Sequence, residues 1–157
     1  MRVVGVCVHG EVEGRPTARA VALDDSSGTP VVDAKFELTG DDVDFAQQLL
    51  DLSKAMASSI LGMKPDRVVV RRADFPPAAS RVEGTKLRLL AEGAICAAAR
   101  EHITDTHVAT GKVIGKWDGR DKDALGADAK ALCKTSGMQI GKWREAVFAA
   151  LGALNYP

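Results

Sequence analysis

Arg2–Gly10, RVVGVCVHG, is the stretch from which the rest of the chain can be read. Val3, Val4, Val6 and Val8 are β-branched, and branched side chains pack well on a pleated surface. A run of them closed by a glycine predicts a buried strand over Arg2–His9. Cys7 lies within that run and His9 at its end, and both enter the argument below.

Two further strands are predicted downstream. Thr17–Leu23 (TARAVAL) alternates small or apolar residues with polar ones and runs into DDSSG, a turn signal. Val31–Leu38 (VVDAKFEL) places Val32, Ala34, Phe36 and Leu38 on one side and Asp33, Lys35 and Glu37 on the other. That period of two is the mark of a half-solvated antiparallel strand.

The period then changes to about 3.6 residues. Between Asp41 and Leu61, Ala46, Leu49, Leu50, Ser53, Met56, Ala57, Ile60 and Leu61 recur on one helical face. Asp41, Asp42 and Asp44 sit where the helix dipole favours acids, Gly62 is a plausible stop, and Pro65 blocks continuation. Asp66–Val70 (DRVVV) predicts a fourth strand that runs out into RRADFPP. Ser80 and Glu83 have capping-box spacing and open a helix to about Glu101, rich in small residues such as Gly84, Ala91, Gly93 and Ala97. Thr106–Ala109 is a short fifth strand. TGKVIGKWDGRDK (110–122) reads as a polar, basic loop, and helices over Asp123–Thr135 and Lys142–Leu154 close the chain. The predicted order is β-β-β-α-β-α-β-α with an extra helix near the end. It gives an α/β fold, a mixed five-stranded sheet flanked by helices, in a single domain of 157 residues.

Bulk composition narrows the function classes. Lys+Arg and Asp+Glu both number 21, so the chain as a whole is not a strongly basic binder. The charge is uneven, with 7 basic and 11 acidic residues up to Val70 and 14 basic and 10 acidic from Arg71 onward. Cys7, Cys96 and Cys133 form no CxxC pair, which fits a reducing, cytoplasmic compartment. Glu11, Glu13 and Arg15 interrupt the N-terminal region, so no secretory leader is expected, and no stretch approaches the ~18 apolar residues of a membrane span. GxSxG, Walker A and GxGxxG signatures are missing.

Order and length together resemble the ribonuclease H-like fold, and within it the RuvC-type Holliday-junction resolvases. The resemblance spans nearly the whole chain and rests on four places. VVGVCVHG stands where that family has a strand ending in Gly-Ile-Asp, and KPDRVVVRRAD where it has a strand ending in glutamate. KLRLLAEGAICAAAREH is similar to its second long helix, and TGKVIGKWDGRDK to the loop before its last helices. The resemblance implies two Mg²⁺ ions held by four carboxylates, from the first strand, the end of the fourth and two positions on the last helix. Such ions activate the attacking water and stabilise the leaving oxygen of a phosphodiester.

This chain departs from that pattern. Cys7 stands at the position of the family aspartate, and Arg71 and Arg72 end the fourth strand, with Asp74 the nearest acid. On the last helix Glu145 lies where an acid is expected, but Lys142 stands where the second belongs. The expectation is a lost two-metal site in which Glu145 and Asp74 are relics. Cys7 and His9, facing one side, offer zinc-ligand types with Cys133 or His107, at a spacing that is not diagnostic. Phosphate contacts are expected from Arg71, Arg72 and Arg81, and from Lys112, Lys116, Arg120 and Lys122 of the loop, where Trp117 offers a stacking surface.

The leading expectation is a RuvC-like protein that binds branched or structured nucleic acid, or a partner protein, without cutting and without a cofactor. One alternative is a Mg²⁺- or Mn²⁺-dependent endonuclease rebuilt on Glu145, Asp74 and a further acid such as Asp33. Another is an assembly module that pairs as a homodimer through the helix at Ser80–Glu101.

Overall fold

The computed structural model describes all residues except 13–14, 41–43, 75–82, 118 and 120, and leaves aside the side chains of 10–12 and 83. Five strands and five helices follow one another as β1 (Arg2–Val12), β2 (Arg15–Asp24), β3 (Val31–Thr39), α1 (Phe45–Met63), β4 (Arg67–Arg72), α2 (Glu83–His102), β5 (Thr106–Thr110), α3 (Gly111–Trp117), α4 (Lys122–Thr135) and α5 (Ile140–Leu154). The strands form one mixed sheet in the order β3-β2-β1-β4-β5. β2 pairs antiparallel with β1 and β3, while β4 runs parallel to β1 and β5.

β1 is central and buried on both faces, and its pleat divides the core in two. Val4, Val6 and Val8 pack with Leu52, Met56 and Ile60 of α1 and Ala91 and Ile95 of α2. Val3 and Cys7 face the opposite way, against Ala146, Val147 and Ala150 of α5. Between them Gly5 lets α5 lie on the sheet backbone to backbone. A Cβ at that position would sit 2.1 Å from Ala150 N and 2.3 Å from Ala146 O, where no atom fits.

The predicted elements are all present, with corrections at their ends and in one segment. α1 runs through Gly62 and ends only when Lys64 adopts the left-handed conformation (φ 48°), with Pro65 beyond it. Asp44 caps its start by accepting from Ala46 N. Val32 leaves the side it was expected to share with Phe36 and Leu38, because the β2–β3 register shifts between Ala22 and Leu23 and turns it toward the α5 layer. The largest correction is in TGKVIGKWDGRDK, whose first half is the helix α3. The two glycines of α3 serve packing. A Cβ at Gly115 would come within 2.8 Å of Lys122 N, so Gly115 lets α3 lie against the start of α4. Ser80 of the expected capping box lies outside the described residues. Among the described residues no helix is long and apolar enough to cross a membrane.

Candidate functional site

Near the carboxyl end of β1, four strands contribute one lateral row of residues. Cys7 pairs in register with Arg71 of β4 on one side and with Arg19 of β2 on the other, and Arg19 pairs with Glu37 of β3. Strand alternation turns the row toward α5. Arg19 and Arg71 are each only 8% exposed. A buried guanidinium requires a partner, and each has one. Arg19 Nε donates to Glu37 Oε2 at 2.7 Å, and Lys142 Nζ of α5 lies 3.0 Å from the same oxygen. The hydrogen bond from Arg19, with Lys142 beside it, holds the Glu37 carboxyl below its usual range despite partial burial.

Arg71 is the hub of the other half. Its Nη1 lies 2.8 Å from Glu145 Oε2 and its Nη2 donates to Asp74 Oδ2 at 3.2 Å. Lys122 Nζ reaches the same Asp74 oxygen at 2.7 Å, and Arg144 Nη2 reaches Glu145 Oε1 at 3.0 Å. Burial pushes the Asp74 carboxyl up, but Lys122 and Arg71 outweigh it and hold it below its ordinary value. Gly111 makes room for this cluster, since a Cβ there would stand 3.1 Å from Arg71 Nη2, Asp74 Oδ2 and Lys122 Cε. Beside Arg71, the Cys7 thiol is fully buried, with its Sγ 3.1 Å from His9 Nε2. Burial, reinforced by Glu145, pushes that thiol up to about 12, so it keeps its proton near neutrality and lacks the thiolate character of a nucleophile.

The four strand and helix positions from which the resemblance draws metal ligands thus carry a thiol, a guanidinium, an ammonium and one carboxylate. A pair of hard divalent ions needs several carboxylate oxygens converging on one point. Here a cation already lies between Glu145 and Asp74, and these residues do not fit the metal pair. Among the described residues no three His, Cys, Asp or Glu side chains gather as ligands of a metal. Asp33 pairs with Arg2 instead, in the register of the opposite end of β1. Cys133 is in the core and His107 stacks on Tyr156, so the zinc grouping with Cys7 and His9 does not form.

The basic residues singled out in the sequence are dispersed by the fold. Lys122 joins Arg71 in the cluster. Arg72, one position further along β4, lines a separate hollow with Val108, Val113 and Trp117. Lys112 and Lys116 stand exposed on α3. Trp117 packs edge-on against Tyr156, at 4.7 Å between ring centres, and against His107 at 6.2 Å. Arg81 and Arg120 lie outside the described residues.

The sequence reading did not anticipate Arg88 and Glu92. Glu92 is 2% exposed; its Oε1 accepts from Arg88 Nε at 3.0 Å and from Ala73 N at 3.2 Å, fastening the end of β4 to α2. Burial pushes its carboxyl up. The signal was available: Thr85, Arg88, Glu92, Ile95 and Ala99 share one helical face, and an acid inside an otherwise sheet-facing stripe needs a reason.

Two cavities flank the Arg71–Glu145 pair and share Arg71, Lys122, Arg144 and Glu145. One, of about 280 Å³, opens between α4 and α5. The other, of about 350 Å³, opens toward His9, Asp74 and Arg88.

No protein-family model and no curated protein sequence matches this chain. Solved structures do. RuvC of Thermus thermophilus superposes with a TM-score of 0.69 at 13% identity, over 99% of this chain and 95% of that one. T. thermophilus RuvC in complex with a Holliday junction substrate gives 0.72 at 12% identity, over 99% and 94%. The likeness is one of fold.

Proposed function

We propose that this chain, which has the ribonuclease H-like fold of RuvC-type resolvases, binds branched or structured nucleic acid and does not cut it. One observation carries the reading: Arg71 stands between Glu145 and Asp74, at the end of the strand from which the fold's nucleases draw a metal ligand. A fixed cation there neutralises the remaining acids and leaves no seat for the ions that would activate water. The surrounding side chains keep a cationic character suited to phosphate, with Lys122, Arg144 and Arg88 around the two cavities. The resemblance supplies the class of ligand.

The test compares a labelled four-way DNA junction with a duplex of equal length, across a salt series with Mg²⁺ present. The expected result is preference for the junction, with log K falling by about 0.9 per phosphate neutralised for each tenfold rise in salt. Both DNAs should be recovered intact. Cut strands would overturn the non-catalytic half of the reading, and no binding at low salt the nucleic-acid half.

We infer also that two copies pair through the outer side of α2. Leu89 and Leu90 are 40% and 54% exposed there, beside the open Gly93. Sedimentation should show a dimer that Leu90→Glu dissociates; a monomer in the unsubstituted protein removes the inference.

A further inference from the structure

The two edges of the sheet are built differently. β3 carries Asp33, Lys35 and Glu37, and charges on an edge strand keep other chains from pairing with it. β5 (THVAT) carries no Asp, Glu, Lys or Arg. The outer side of β5 also presents main-chain groups. Val68 N donates to Asp105 O, and along a strand the N–H and C=O of successive residues point to alternate sides. Asp105, His107 and Ala109 therefore turn theirs toward β4, while Thr106, Val108 and Thr110 turn theirs away from it. Arg100 Nη1 lies 3.5 Å from the outward Thr106 O.

A hollow of about 500 Å³ runs along this outer side. It is bounded from both faces of the sheet. Val108, paired with Val70, belongs to the α2 face; His107, paired with Val69, belongs to the α5 face with Trp117 of α3. A hollow walled from both faces lies beside the strand, where a sixth strand would run. Val108 and Val113 are 52% and 42% exposed there. The rim is cationic. Arg72 lines the hollow, and Lys112 and Lys116 stand exposed on α3 beside Val113. Among the described residues no carboxylate lines it, and Asp105, just before β5, is held by Arg67 and His107.

We propose that the open side of β5 docks an extended, acidic segment of a partner protein, which adds to the sheet as a sixth strand. Main-chain bonds to Val108 and its outward neighbours hold it, apolar residues of the segment cover Val108 and Val113, and its acids meet Arg72, Lys112 and Lys116. Five residues of β5, at about 3.3 Å each, suit a segment of similar length. A nucleic-acid strand carries the same sign of charge but brings no peptide N–H and C=O to continue the ladder. The inference goes beyond the nucleic-acid reading and stands without it.

The probe is a capped, dye-labelled seven-residue peptide in which glutamate alternates with valine, titrated by fluorescence anisotropy. Binding should saturate, and the same peptide with lysine for glutamate should bind at least tenfold more weakly. On addition of the glutamate peptide, hydrogen exchange at Val108 N–H should slow. Val108→Pro removes that outward N–H at an edge position where proline is tolerated; it should abolish binding and melt close to the parent. Arg72→Glu with Lys116→Glu should reverse the preference, so that the lysine peptide binds better. The four-way junction should not displace the peptide.

No saturable binding overturns the proposal, as does binding that a folded Val108→Pro retains. An unchanged preference in the charge-reversed variant removes the acidic partner, whether or not the proline variant folds. Displacement of the peptide by the junction assigns the edge to nucleic acid instead, and a peptide that binds while the junction does not leaves this proposal standing and removes the nucleic-acid reading.

Discussion

Arg71 of β4 and Glu145 of α5 form an ion pair of 2.8 Å at the point where the central strands meet the last helix. The side chains are 9% and 25% exposed, so most of the hydration of both is already surrendered. Removing one member of such a pair leaves a desolvated charge behind. Arg71→Met, close in length and apolar, is expected to lower unfolding stability by about 3 kcal/mol, read from urea denaturation. Arg71→Lys should recover only part of it, because a point charge cannot reach Glu145 and Asp74 together. A loss under about 1 kcal/mol for Met would mean that the pair is screened as a surface pair is.

Cys7 is expected to contribute to the loss of stability at alkaline pH. Its folded value of about 12 lies above the ordinary thiol value of 9.0. The unfolded chain therefore loses this proton first. The contribution to stability is complete below about pH 9 and is lost as the pH rises from there toward 12. Within that window this thiol adds a slope of about 1.4 kcal/mol per pH unit. Cys7→Val should flatten the pH profile by that amount, measured against the parent by denaturation at pH 8 to 10.5 (roughly the window in which the unfolded thiol ionises). An unchanged slope would place the loss in other groups.

Replacing the thiol and the guanidinium by acids should create what the present residues refuse. In Cys7→Asp with Arg71→Glu, two new carboxylates join Glu145 on the same three elements. That variant is expected to bind Mn²⁺, seen as loss of the free-ion electron paramagnetic resonance signal and as a metal-dependent rise in melting temperature. The parent should show neither. A folded double variant that takes up no Mn²⁺ would show that these positions do not converge on an ion.

Gly5 and Gly93 should answer to alanine in opposite ways. At Gly5 the added carbon meets the α5 backbone at 2.1 Å, and neither element has room to retreat. About 3 kcal/mol or more should be lost on thermal unfolding. At Gly93 the same carbon meets nothing within 4 Å, and a helix interior gains about 0.5–1 kcal/mol from alanine.

Trp117 contacts His107 and Tyr156, with Arg67 over the Tyr156 ring at 4.7 Å. Trp117→Ala should cost about 2 kcal/mol, below the full cost of a buried tryptophan because the ring is only half-buried. Junction affinity per folded molecule should not change. A drop in affinity at full stability would return the ring to the ligand face.

Much of this fold was legible because its periods are clean. Alternation in VVDAKFEL marked the strand, with Val32 the exception, and the stripe from Ala46 to Leu61 marked the helix but misplaced its buried face: Gln48, Leu52, Met56 and Ile60 are buried, while Ala46, Leu50 and Leu61 are exposed. α3 was not legible. Seven residues carry too little periodicity, and Gly111 and Gly115, which read as loop punctuation, are there to admit Arg71, Asp74 and the start of α4. The end of α1 was misplaced for a related reason, since Gly62 was open to a stop but Lys64 took the left-handed turn. At the site, Cys7, Arg71, Asp74, Glu145 and Lys122 could be named from the sequence. That Arg71 would be buried among acids could not, because an ion pair across β4 and α5 leaves no local pattern. Glu92 had a pattern, an acid on an inward helical face, and it was overlooked.

The contact at Gly5 has a consequence for how such a site changes over time. The distance from β1 to α5 is set there by main chain against main chain, with no side chain as the spacer. Residues two positions further along the strand, and one turn away on the helix, can be exchanged without altering that gauge. Chemistry and architecture thus rest on different atoms in this sheet: the main chain at Gly5 holds the frame, and the side chains at Cys7, Arg71 and Glu145 decide what it presents.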